Sequence, residues 1–146
     1  MPDALYNRDV LRLAASIPNH RRLDRPMASV ERSSPVCGSR IILDIATDPS
    51  GGVTDFGLDV RACALGQASA SLLGAHIVGR SAAEIATARQ DLADYLEGRR
   101  DDPGNWPGLS VFSEARRFPA RHGSILLAFD AAAEAAALAG AEASRS

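Results

Sequence analysis

The sequence predicts an α+β domain, a small antiparallel sheet of about three strands packed against helices. Two adjacent segments of period two flank a Gly-Gly turn, and nearly everything after them has the 3.6-residue period of helices. The strands come early and the helices late, with no strand–helix alternation of the kind that builds a parallel sheet.

Taken in order, Asp3 to about Ser16 reads as a first helix. Leu5, Val10, Leu13 and Ile17 gather near one face, Arg8 and Arg12 lie opposite, and Pro18 stops it. Residues 18–38 are polar and interrupted by Pro26 and Pro35, so they read as loop with a short strand near Ala28–Glu31. The hairpin follows. In 40–47, Ile41, Leu43 and Ile45 alternate with Ile42, Asp44 and Ala46; in 53–61, Phe56, Leu58 and Val60 alternate with Asp55, Gly57, Asp59 and Arg61. Asp48-Pro49-Ser50-Gly51-Gly52 between them is turn chemistry, so the pair should be antiparallel with one buried face. Asp55 and Asp59 then fall on its solvated side.

Residues 67–78 read as a helix of small side chains closed by Gly79. Ser81-Ala82-Ala83-Glu84 is a capping box that opens the next helix, whose stripe is Ile85, Ala88, Leu92 and Leu96 and whose stop is Gly98. Residues 99–108 are a polar loop, a short helix is expected over 109–115, and a long final helix over about 121–139. Beyond residue 139 the small polar tail should fray.

A chain of 146 residues fits one domain, 1–146, with room for one core. Hydrophobic residues at 46% and charged residues at 23% speak against disorder. All 16 basic residues are arginine, but the net charge is −2 and no basic footprint for nucleic acid appears. No apolar run reads as a membrane span, and the opening MPDALYNRDV lacks the order of a signal peptide. A cytoplasmic location without a membrane partner is the resulting expectation, and two cysteines in that setting favour thiols or metal ligands over a disulfide.

Cys37 precedes the first strong strand and Cys63 follows the second, nearly equidistant from the turn at Gly51. Both thiols should therefore lie at one end of the hairpin and can meet at one site. Cys63 also precedes a helix, whose N-terminal dipole favours a negative sulfur. Two unrelated buried cysteines is the other reading of the same spacing. Of the histidines, His20 sits in a polar loop and His76 on the small-residue helix; His122, near the start of the last helix, is the one placed to approach the cysteines. No phosphate loop, nucleophile elbow or pair of Cys-x-x-Cys is present.

Four segments together resemble one family. Leu5-Tyr6 with Ile17-Pro18-Asn19 and Leu23 is similar to the N-terminal helix and Pro-Arg-Asn-x-Gly-x-Leu loop of IscU/SufU/NifU-type proteins. Ser34-Pro35-Val36-Cys37-Gly38-Ser39 resembles their Asn-Pro-x-Cys-Gly-Asp loop, and Cys63-Ala64-Leu65-Gly66-Gln67-Ala68-Ser69-Ala70-Ser71 their Gly-Cys-x-x-x-x-Ala-Ser-Ala-Ser segment. Phe118-Pro119-Ala120-Arg121 resembles the Phe-Pro-x-Arg before their third cysteine. The likeness runs from about Leu5 to Ala135, and the long interval between Cys63 and Phe118 looks like the insertion of the SufU branch.

The resemblance implies a SufE/IscU-like fold and a scaffold or carrier in iron–sulfur cluster assembly rather than an enzyme. Cys37 and Cys63 would then be metal ligands and sulfur acceptors, and a cysteine desulfurase would be the partner. The sequence departs from the family at the ligands: Ser39 stands in the aspartate position, Ser124 in that of the last cysteine, and Gly123 in that of the histidine, with His122 one residue earlier. His122, Ser124 and Ser39 are thus the further candidates, and a labile iron–sulfur cluster or zinc, or no metal at all, is expected. A homodimer that pools two thiols per chain is one way to complete a site. The alternative function is a relative that binds no metal and acts as a protein-interaction or regulatory module.

Overall fold

The computed structural model describes residues 6–34 and 38–145, with side chains described as far as residue 141. Helix α1 spans Arg8–Ala14, and three strands follow: β1 Ala28–Ser34, β2 Ser39–Thr47 and β3 Val53–Arg61. Helices α2, Ala64–His76, and α3, Ala82–Leu96, come next. A 3-10 segment over Leu109–Arg117 and a 3-10 turn over Pro119–Arg121 lead into α4, His122–Arg145.

The sheet has the order β1-β2-β3 and both pairings are antiparallel, as the α+β expectation requires. Opposite one another stand Ile41 and Val60, Leu43 and Leu58, and Ile45 and Phe56, all buried. These are the side chains whose alternation predicted the hairpin. Asp48 shapes its turn: Oδ1 accepts from the Ser50 amide at 3.0 Å and the Gly52 amide at 2.9 Å, and Gly51 takes φ +93°. The strand expected near 28–31 exists and runs on to Ser34.

Helix α4 lies over β1 and β2 and packs on α2 and α3. Its buried side includes Ile125, Phe129, Ala132 and Ala136. By length and composition alone, 119–141 could cross a membrane, which corrects the reading that no apolar run is long enough. Much of that face is covered by the sheet and neighbouring helices, as befits a core helix. The capping box of α3 is present, with Glu84 N–H donating to Ser81 Oγ and Ser81 N–H to Glu84 Oε1, both at 3.1 Å.

Several boundaries move. Helix α1 starts at Arg8 because Asn7 Oδ1 caps it, accepting from the Val10 amide at 2.9 Å; the expected start at Asp3 lies outside the described residues. Helix α2 starts at Ala64, and α4 continues to Arg145 instead of stopping near 139, since Ala and Glu sustain a helix. The expected short helix over 109–115 is a 3-10 segment that buries Leu109, Phe112 and Ala115.

The expectation of one buried sheet face is overturned at the sheet's centre. Asp44, on the face read as solvated, has no exposed surface. The 18–27 segment folds back across it. Asn19, at φ +50°, accepts from the Leu58 amide at 2.9 Å and donates from Nδ2 to the Phe56 carbonyl at 3.0 Å. His20, read as solvated, is exposed, yet its Nε2 accepts from the Val60 amide at 3.3 Å. The outer edge of β3 is thereby covered rather than left to pair with another chain. Gly57 permits the crossing: a Cβ there would come within 2.3 Å of the Arg21 carbonyl oxygen. Beyond it, Arg22 reaches Asp44 with Nε–Oδ2 2.7 Å and Nη2–Oδ1 3.0 Å, the Leu23 amide donates to Oδ2 at 2.9 Å, and the Ser29 hydroxyl donates to Oδ1. Asp55 is exposed and Asp59 half-buried on β3, and Ser29, Glu31 and Ser33 are exposed on β1, so the solvated side survives on both flanks of Asp44.

Candidate functional site

The candidate residues gather where β1 ends, β2 begins and β3 runs into α2. Ser34 and Ser39 are partners across β1 and β2, and Arg40 is paired with Arg61, so the end of β1 and the start of β2 lie beside the exit of β3. Cys37 lies outside the described residues.

Cys63 is the N-cap residue of α2, with φ −66° and ψ 170°, and its side chain makes no capping hydrogen bond. It is a free thiol, half-buried, at the edge of the apolar core. A cysteine in a position where Ser, Thr, Asp or Asn would cap leaves its sulfur available for other chemistry.

Ser39 and Ser124 come together although they are 85 positions apart in the chain: their Oγ atoms are 3.3 Å apart, and both residues are buried, at 2% and 1% exposure. The first turn of α4 carries Ser124 into contact with the first turn of α2. A Cβ on Gly66 would stand 3.4 Å from the Ser124 carbonyl oxygen and 3.8 Å from its Cβ. Gly66 lies one helical turn after Cys63, so Ser124 is seated against the same turn that begins at the thiol. The Ser69 hydroxyl donates to the Ile125 carbonyl at 2.5 Å and pins the two helices at this height. The small-residue run of α2 therefore serves close packing, as its composition suggests.

His122 follows a different course. It is half-buried, and its Nε2 lies 2.8 Å from the Ala115 carbonyl oxygen. A carbonyl only accepts, so Nε2 carries a proton and Nδ1 holds the one lone pair a metal could use. Among the described residues, no three of histidine, cysteine, aspartate and glutamate stand close enough to hold a metal ion. His76 is half-buried, edge-on to Trp106 at 6.5 Å between ring centroids, which is a packing role.

Ser34 escaped the sequence reading. It is buried at the end of β1, and a Cβ on Gly123 would sit 3.5 Å from its Oγ. Its signal was available in the register, since Ser34 is the strand neighbour of Ser39. Buried neutral hydroxyls of Ser34, Ser39 and Ser124 thus gather where two strands meet the start of α4.

Three comparisons bear on this arrangement. The chain is 28% identical over 131 residues to the iron–sulfur cluster assembly scaffold protein IscU of Thermotoga maritima, covering 90% of this chain and 92% of that one. The crystal structure of the N-terminal part of a nitrogen-fixing NifU-like protein from Brucella abortus superposes with a TM-score of 0.88 at 33% identity, covering 94% of this chain and 96% of that one. A crystal structure described as a putative iron–sulfur cluster assembly scaffold protein for the SUF system, from Fervidobacterium islandicum AW-1, shares the fold with a TM-score of 0.83 at 18% identity, covering 90% and 96%. The family model for the NifU-like N terminal domain matches residues 5–110, which take in α1, the whole sheet, α2, α3 and Cys63. The chain belongs to the NifU-like N-terminal domain family.

Proposed function

We propose that this protein serves iron–sulfur cluster assembly as a scaffold or carrier, with Cys63 and Cys37 as the working thiols and the cluster as cargo. The observation that carries this reading is Cys63: a free thiol at the N-terminus of α2, in a chain of this family, beside the meeting point of β1, β2 and α4. The protein would make no product of its own. A cysteine desulfurase would present a persulfide, whose outer sulfur the Cys63 thiolate attacks. The S–S bond to the desulfurase breaks, its cysteine leaves as a thiolate, and the new S–S bond leaves a persulfide on Cys63. Ferrous iron and an external electron donor are then needed to turn that sulfur into sulfide.

Two thiols per chain are half of a four-thiolate cluster site, so the cargo should be held loosely or shared between two chains. Anaerobic incubation with ferrous iron, cysteine and a cysteine desulfurase tests the reading. Visible cluster absorbance with acid-labile sulfide is expected, lost in Cys63→Ser and in Cys37→Ser, and light scattering shows whether it accompanies a dimer. Absence of both cluster and persulfide on the wild-type chain would overturn it. That result would favour a second reading, an interaction module that holds no metal, which the neutral Ser39–Ser124 pair supports.

A further inference from the structure

Ser39 and Ser124 stand where the resembled family carries an aspartate and a cysteine, and here the two hydroxyls meet. Their Oγ atoms stand 3.3 Å apart inside the protein, with Gly66 of α2 beside Ser124 and Gly123 beside Ser34. A hydroxyl is neutral at physiological pH and is a poor ligand for zinc or iron, which prefer thiolate, imidazole or carboxylate. It is also at once a donor and an acceptor, so two of them form a stable buried contact without any ion. Two anionic side chains at the same separation would repel each other unless a cation lay between them, and folding would then depend on that cation.

We infer that the Ser39–Ser124 pair keeps the site folded and neutral in the metal-free protein, so that folding does not require metal and retention rests on the thiols alone. The inference deepens the scaffold reading and concerns the same site. It makes these two serines the residues that set how firmly cargo is held, although neither holds it. A carrier built this way persists without cargo and releases what it receives.

Zinc is a suitable probe because it needs no reductant and can be counted. The full chain is prepared metal-free as wild type, as Ser124→Cys, and as Ser39→Asp combined with Ser124→Cys. Thermal midpoints are read in chelator and in zinc, zinc per chain is measured after desalting, and affinity is read by competition with a coloured chelator. The wild type should fold in chelator, and zinc should raise its midpoint by less than it raises that of either variant. The double variant should melt below wild type in chelator and recover by about 5–10 °C in zinc at roughly 100-fold over its Kd. Ser124→Cys, the smaller change, should bind zinc at least about tenfold more tightly than wild type, a difference of about 1.4 kcal/mol.

A wild type that gains as much from zinc as the double variant does overturns the inference. So do folded variants that melt like wild type in chelator and bind zinc no better. Should the double variant fail to fold in either condition, the single Ser124→Cys affinity decides. Cluster loading of the wild type is a separate readout. A wild type that loads cluster yet needs zinc to fold sinks the serine inference alone. One that loads nothing, while the variants behave as stated, sinks the scaffold reading alone.

Discussion

Replacing Asp44 by Asn tests how the N-terminal loop is fastened to the sheet. The carboxylate is wholly buried and accepts two bonds from Arg22, one from the Leu23 amide and one from Ser29. Burial works against its charge and is the largest single influence. The hydrogen bonds from Arg22, Ser29 and the Leu23 amide, with the charge of Arg22, together outweigh it and hold Asp44 below the usual carboxylate range. Asn keeps the shape and one acceptor oxygen, but turns an amide NH2 toward donors. Hydrogen bonds to a charged group contribute about 1.5–3 kcal/mol each. The Arg22 side chain is 49% exposed and regains water when released, so its loss is discounted. The sum is about 2–3 kcal/mol, or a fall in Tm of about 5–10 °C for a chain of this size. Because the folded-state carboxyl is more acidic than the unfolded one, its contribution is fully present above the unfolded value and is lost as pH falls through the folded one. Thermal melts of both proteins should show a constant gap from pH 8 to about 5, narrowing below about pH 4. An Asn variant as stable as wild type at pH 7, or a gap that ignores acidification, would refute the fastening role.

Gly57→Ala should be far worse than its size suggests, because the added Cβ meets backbone at 2.3 Å and neither the loop nor the central sheet can yield; a loss above about 2 kcal/mol in urea melts is expected. Ser81→Ala removes one half of the α3 capping box and should cost about 1 kcal/mol with little effect on cluster loading. Trp106→Phe breaks the 2.9 Å bond from Nε1 to the Leu72 carbonyl while keeping a ring beside Phe129; a loss of about 1–3 kcal/mol should appear in the same melts.

The parts of this molecule that sequence disclosed are those where one local rule decides. Alternation alone set Ile41, Leu43 and Ile45 against Val60, Leu58 and Phe56, because a one-residue slip would have turned one strand's three outward. The capping box at Ser81 and Glu84 is likewise a matter of four consecutive residues. Asp44 was hidden because its surroundings are not local. An acidic residue on the second face of a strand looks solvated, and a loop with Arg21, Arg22 and Arg25 looks like surface. Only the glycine in mid-strand at 57 hinted that backbone passes there. The serine pair was hidden for the same reason: Ser39 and Ser124 are 85 positions apart, and only the resemblance to a family placed both near the cysteines.

That contrast bears on what the site depends upon. The contacts that seat Ser124 are made by the backbone and by small residues: Gly66 against its carbonyl, the Ser69 hydroxyl on Ile125, and Gly123 beside Ser34. None of these contacts involves the side chain of Cys63, and the Ser39 hydroxyl adds one more contact to them. Much of the geometry is therefore a property of how α2, α4 and the sheet close on each other, with the serine pair completing it. A fold that sets a site by packing can exchange an anionic ligand for a hydroxyl without moving a strand. Exchange of Gly66 is a different matter, because a Cβ there would meet the Cβ of Ala62 at 2.8 Å and force a shift where α2 begins, beside Ser124. Gly66→Ala should accordingly disturb cluster loading more than Ser39→Ala does, although Gly66 has no side chain with which to bind anything. The reverse order in an anaerobic loading assay would mean that the donors, rather than the packing, hold this site together.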